Sequence, residues 1–144
     1  AMCYLWVPFG PVVWQLESDV AIGMVRALAL FGWGFLLLAT FLINHFELFG
    51  LSQTFNPLRG MAAPEKCFKT PGLYNIVRHP IQTGVLIGMW AVPLSTLSHV
   101  LFSAGMTIYI FVGLYFEEKD LIKEFGSTYI DYMHRVKRLI PFIT

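Results

Sequence analysis

A chain of 144 residues has room for a single domain. Hydrophobic residues make up 56% of it and charged residues 13%, a membrane composition that excludes an ordinary water-soluble globule. The formal net charge of +1, with no basic surface interleaved with aromatics, excludes a nucleic-acid-binding role. Charge is unevenly spread, with Arg26 the one basic residue before position 58. The two cysteines, Cys3 and Cys67, fall in separate regions without ligand spacing, so neither a disulfide nor a metal site is expected.

Residues 2–16 are aromatic and broken by Pro8, Gly10 and Pro11, with Trp6 and Trp14 suited to a membrane interface. This opening is apolar without a cationic leader, and the expectation is a domain truncated at its N-terminus, with a further membrane segment upstream. Ser18 or Asp19 can cap the next helix. From Val20 to about Phe46 the polar interruptions are few, and at about 20 residues per crossing this reads as one transmembrane helix. Gly23, Gly32 and Gly34 allow close helix approach along it, and Arg26 can snorkel outward. Asn44-His45-Phe46-Glu47 closes the helix before Gly50, either as an interfacial cap or as the polar lining of a site.

Residues 51–71 form a loop punctuated by Pro57, Gly60, Pro64 and Pro71. Arg59, Lys66 and Lys69 against Glu65 place it in the cytoplasm by the positive-inside rule. It leads into Arg78-His79-Pro80, where a cation and an imidazole precede a proline suited to the first helical turn. Free N–H groups at such a terminus favour an anion, so a ligand carboxylate is expected to dock there. The apolar block from Gly84 to Phe116 is read as a helical hairpin, about 81–95 and 98–117, turning at Pro93–His99. Glu117 and Glu118 end it on the cytoplasmic side, where a helix C-terminus favours a cation. Gly126 breaks the chain, Ser127 can cap, and a tail helix over about 127–138 carries Tyr129, Ile130, Met133 and Val136 on one face. Arg135, Lys137 and Arg138 follow, suited to anionic headgroups.

The fold expected is all-α: a polytopic membrane helix bundle with a C-terminal helical hairpin and an amphipathic cytoplasmic tail helix. Asn44, His45, Glu47, Arg78, His79, Glu117, Glu118 and Arg135 then converge on one side of the membrane. A ligand anionic at one end and cationic elsewhere fits such a site, and S-adenosylmethionine has that pattern.

Arg78-His79-Pro80, a two-helix hairpin, Glu117-Glu118, Phe125-Gly126-x-x-Tyr129-x-x-Tyr132 and a proline near Arg135 together resemble the C-terminal half of the isoprenylcysteine carboxyl methyltransferase and phospholipid methyltransferase superfamily. The resemblance covers roughly residues 70–142 and implies an integral membrane enzyme using S-adenosylmethionine. Within that superfamily, Asn44 to Leu51 looks most like the bacterial methanethiol S-methyltransferases, which make dimethyl sulfide. What this implies is cofactor binding by Tyr74, Arg78, His79, Pro80, Glu117 and Glu118, and catalytic roles for His45, Glu47 and Arg135. It further implies a small-molecule thiol as partner and a bacterial inner membrane location with the site on the cytoplasmic face. Gln82 departs from the pattern, since many members carry Tyr there. Alternatives are a prenylcysteine carboxyl or phospholipid methyltransferase, a non-enzymatic denitrification accessory protein, and a membrane reductase, for which no Gly-rich dinucleotide fingerprint is present.

Overall fold

The structure, a computed structural model, describes residues 9–42, 70 and 72–140. Asn44, His45, Glu47 and the proline-rich loop lie outside the described residues. The elements, in order, are β1 (Val12–Gln15), α1 (Asp19–Leu42), a 3₁₀ turn (Gly72–Asn75), α2 (Pro80–Trp90), β2 (Leu94–Thr96), α3 (Leu97–Phe125) and α4 (Ser127–Arg135). The chain is predominantly helical, and α1 and α3 are long and apolar enough to cross a membrane.

α1 opens as expected, with the Ala21 amide approaching the Ser18 hydroxyl and Asp19 in the first turn. Its apolar residues face outward almost throughout, and Gly32 and Ala39 are its buried positions. The buried stripe packs against α2, and glycines set the distance. A Cβ added to Gly84 would sit 2.6 Å from the Gly32 carbonyl oxygen, and one added to Gly32 would sit 2.6 Å from the Gly88 amide nitrogen. A Cβ on Gly88 would meet the Trp33 indole at 2.7 Å. Gly84-x-x-x-Gly88 is thus a small-residue face that lets two backbones touch. Of the three glycines singled out on α1, Gly32 alone does this; around Gly23 and Gly34 an added Cβ meets nothing within 4 Å.

The hairpin differs from expectation in both arms. α2 stops at Trp90 rather than near 95, because Pro93 follows and residues 94–96 pair as a strand. β2 runs antiparallel to β1, with Val12 opposite Thr96 and Gln15 opposite Leu94, adding a short ribbon that an all-α reading does not contain. Leu16 N–H donates to Pro93 O at 2.9 Å and Trp14 Nε1 to Val92 O at 3.1 Å. The Trp14 and Trp90 rings stack with centroids 6.5 Å apart. α3 runs to Phe125, well beyond 117, since residues 119–125 hold no breaker before Gly126. Gly126 adopts φ 55°, a conformation costly for residues with a Cβ, and ends the helix there. It is also the cap residue of α4, and no side-chain cap is made, so the expected role of Ser127 is not taken up.

α4 stops at Arg135 rather than near 138, and residues 136–140 continue as a non-helical, bent strap. The strap lies alongside the start of α2. Val77 and Lys137 form a parallel bridge, Arg78 N–H donates to Lys137 O at 2.8 Å, and His79 N–H donates to Arg138 O at 3.1 Å. The Thr83 hydroxyl donates to Leu139 O at 2.8 Å. Two small cores hold the pieces together: Ile110, Leu114 and Leu139 with Val85 and Leu86, and Tyr129, Tyr132 and Val136 with Leu121, Ile122, Phe125 and Met133.

Candidate functional site

Three chain segments meet where α2 begins. Pro80 is the first residue of α2 and is buried, fitting a position whose missing N–H carries no penalty. Directly before it, His79 is 4% exposed. From α3 comes Glu118, 3% exposed, and from the strap comes Arg138.

Glu118 is the centre. Its Oε1 receives Arg78 Nε at 3.1 Å, Arg78 Nη2 at 2.9 Å and His79 Nε2 at 3.1 Å. Its Oε2 receives Arg138 Nε at 3.0 Å and also Arg138 Nη2. Arg78 uses its remaining Nη1 on the carbonyls of Met133, at 2.9 Å, and Val136, at 3.1 Å. A carboxylate so buried is tolerated only when paired and hydrogen-bonded, and these contacts supply both. Its bond to Glu118 also pushes the Arg138 guanidinium further above its ordinary range.

The tyrosines form the lower wall. The Tyr132 hydroxyl donates to Tyr74 O, tying α4 to the 3₁₀ turn. The Tyr129 and Tyr132 rings lie 5.8 Å apart. Burial pushes the Tyr74 and Tyr132 hydroxyls up to about 12, and it pushes Tyr129 up as well, helped by the negative charge of Glu118.

The sequence-expected residues divide clearly. Arg78, His79, Pro80, Glu118 and Tyr74 are brought together, with Glu117 at their rim. Glu117 is 48% exposed, and its Oε1 lies 3.9 Å from His79 Nδ1. Arg135 is not brought in: it is exposed, and its Nε reaches back to Asp131 O on its own helix at 3.4 Å. His45 and Glu47 lie outside the described residues. Two electrostatic expectations change. At the start of α2 the protein's own Glu118 carboxylate already meets the His79 imidazole, a contact the sequence does not announce. The Glu117-Glu118 pair is not at a helix C-terminus, because α3 continues to Phe125, so the local cationic field comes from Arg78 and Arg138 instead. Arg138 escaped the sequence reading as a site residue. Its signal was thin: a third cation in a basic tail, with no helical spacing to aim it.

Beside the cluster runs an open apolar groove of about 330 Å³ lined by Thr83, Leu86, Ile87, Phe111, Leu139 and Ile140. Two of its lining residues, Thr83 and Leu139, are joined by a hydrogen bond, and the Thr83 hydroxyl also meets His79 O at 3.1 Å.

Comparison with known proteins adds the following. The phospholipid methyltransferase family pattern matches residues 22–128. The chain is 45% identical over 140 residues to a methanethiol S-methyltransferase of Pseudomonas deceptionensis, covering 97% of this chain and 53% of that protein. It is 49% identical over 138 residues to methanethiol S-methyltransferase 1 of Bradyrhizobium diazoefficiens, covering 95% and 48% respectively. With the methanethiol S-methyltransferase of Mycobacterium tuberculosis the identity is 42% over 137 residues, 95% of this chain and 56% of that one. The chain thus spans about half the length of these relatives. No solved structure matches it.

Proposed function

Since the chain belongs to the phospholipid methyltransferase family, we propose that the protein it represents is a membrane methyltransferase. It takes its methyl group from S-adenosylmethionine and passes it to methanethiol, giving dimethyl sulfide. Identity to methanethiol enzymes along 95–97% of the chain carries the choice of acceptor. The bundle is polytopic and sits in the bacterial inner membrane, with the Glu118 cluster on the cytoplasmic face. Residues 1–144 belong to one membrane domain.

The donor set suits the cofactor. A sulfonium-bearing amino acid needs charges of both signs at one surface. Glu117, with its side chain 48% exposed, and Arg138, 36% exposed, stand at the rim of the buried cluster. Tyr74, Arg78, His79, Pro80, Glu117 and Glu118 make up the cofactor side. When bound, the cofactor supplies an electrophilic methyl group on sulfur. The chain's task is to align acceptor and donor and to exclude water, and alignment alone is worth effective molarities of about 10⁵ M or more. Transfer to a thiol would require a group of the chain to take up the thiol proton. His45 and Glu47 are the groups proposed to take it. Arg135 is the candidate to stabilise the thiolate, with its Nε resting on Asp131 O of its own helix.

The open apolar groove favours a second reading, a lipid-borne acceptor approaching from the bilayer. One experiment separates the two. Membranes carrying the full-length protein are incubated with methyl-labelled S-adenosylmethionine and methanethiol, a prenylcysteine or a phosphatidylethanolamine. Labelled dimethyl sulfide is expected; label in a lipid or prenylcysteine product instead overturns the thiol assignment.

A further inference from the structure

The apolar groove among α2, α3 and the strap has buried and exposed lining residues. Thr83 and Leu139 are buried, and both are tied to the cluster. The Thr83 hydroxyl lies 3.1 Å from His79 O and 2.8 Å from Leu139 O. Leu139 directly follows Arg138, which holds Glu118. Phe111 and Ile140 are 46% and 54% exposed. Phe111 lies midway along α3, a helix long and apolar enough to cross a membrane, so this side of the groove opens toward lipid.

The groove is larger than methanethiol needs. Its volume of about 330 Å³ falls within the roughly 300–1,000 Å³ of sites that hold drug-sized molecules. A thiol of one carbon and one sulfur leaves most of that space to something else. The lining is also selective in kind. Leu86, Ile87, Phe111, Leu139 and Ile140 present hydrocarbon, and the Thr83 hydroxyl proton is committed to backbone carbonyls. No charged side chain lines the groove among the described residues. An ammonium or phosphate headgroup would lose its hydration there without gaining a partner. An uncharged hydrocarbon body instead gains about threefold to fourfold in affinity for each methylene it buries.

We propose that this groove is an acceptor subsite for uncharged apolar thiols larger than methanethiol, alkyl or aryl. The hydrocarbon body lies along Leu86, Ile87 and Phe111, with the sulfur at the buried Thr83–Leu139 side next to the cluster. The inference rests on the thiol-methyltransferase reading above and adds a bulkier class of substrate to it. Such thiols concentrate in lipid and enter from the exposed side, and their thioether products leave the same way. The chemistry is unchanged along the series. The S–H electron pair becomes the new S–C pair, and the proton goes to a group of the chain. The pair of the broken methyl–sulfur bond stays on the donor, so no oxidant or reductant is consumed.

Two measurements on the full-length protein in detergent test this. The first needs no methyl donor. Thermal unfolding is followed while hexyl methyl sulfide, the thioether of hexanethiol, is titrated in, and a saturable rise in midpoint is expected. Ile140→Trp narrows the groove from its exposed side, and roughly 10-fold more thioether should then be needed for the same rise, as if two methylenes were no longer buried. Partition into detergent is common to both proteins and cancels. The second measures methyl transfer from labelled S-adenosylmethionine to methanethiol, butanethiol, hexanethiol and benzenethiol. All four should be methylated, and Ile140→Trp should lower the hexanethiol-to-methanethiol ratio of kcat/KM by about the same 10-fold. If Ile140→Trp does not fold, Phe111→Trp makes both comparisons from the α3 wall. Methylation of methanethiol but not of the larger thiols overturns the proposal, as does a thioether response and a ratio that the substitutions leave unchanged. Label passing to phospholipid while the larger thiols are ignored overturns it too, and gives the groove to a lipid acceptor. If methanethiol itself is not methylated, the thiol reading fails and this inference with it.

Discussion

Glu118 and Glu117 are neighbours in sequence and a helical step apart in direction, so one turns into the cluster and the other toward the rim. Their substitutions should therefore separate stability from ligand contact. Glu118→Gln removes the anion between two guanidiniums and a histidine, leaving the largely buried Arg78 guanidinium without compensation. Breaking a buried ion pair from one side costs about 3–5 kcal/mol. Denaturant unfolding in micelles should show a loss of that size for Glu118→Gln and less than about 1 kcal/mol for Glu117→Gln, whose side chain is 48% exposed. Comparable losses for the two would mean that Glu118 is not the hub. The aromatic wall has a smaller lever. Tyr132→Phe deletes the bond to Tyr74 O and should cost about 1 kcal/mol in the same assay.

At the scale of elements, the site depends on how α2 is held. Its far face lies against α1 through Gly84 and Gly88, and its first turn is bonded to the strap. Gly84→Val places a Cβ where the Gly32 carbonyl oxygen would be 2.6 Å away and the Leu36 amide nitrogen 2.7 Å away. These are backbone atoms and cannot swing aside, so the helices must separate, at a cost of at least about 1–3 kcal/mol. Gly34→Ala, with nothing within 4 Å, should show no loss. Thermal unfolding followed by helical circular dichroism compares the two, and equal midpoints would contradict the α1–α2 contact. Repeated with S-adenosylhomocysteine added, the scan should show a smaller ligand-induced rise in midpoint for Gly84→Val than for the unmodified protein, since moving α2 moves His79.

Over the whole molecule, the buried tyrosines make folding sensitive to alkali. Tyr74 and Tyr132 are raised from an ordinary value near 10 to about 12 in the folded chain. A group whose folded value is raised contributes its stability fully below the unfolded value and loses it as pH climbs through the folded value. Stability should therefore be flat on this account below about pH 10 and fall between about 10 and 12. A spectroscopic tyrosinate titration of the folded protein should show a late-titrating fraction that ionises together with loss of helix. Tyrosines that all ionise near 10 while helix persists would refute the wall.

What the sequence by itself determined was the membrane character, the positions of the long helices and the family. Hydropathy over a length of helix depends on composition alone, so α1 and α3 were legible, as was the Arg78-His79-Pro80 start of α2. The tertiary structure decided everything that depends on pairing between distant residues. β1 and β2 are too short to show a strand period, and they exist because each finds the other across residues 12–96. The end of α4 at Arg135 follows from backbone bonds to residues 77–79, which no local signal announces. The same holds for the site. A Glu-Glu pair reads as two equivalent acids, and three tail cations read alike, until packing buries Glu118, draws in Arg138 and leaves Arg135 on the surface. Charge type was written in the chain; which charge is spent within the protein and which stays exposed was settled only where the three segments meet.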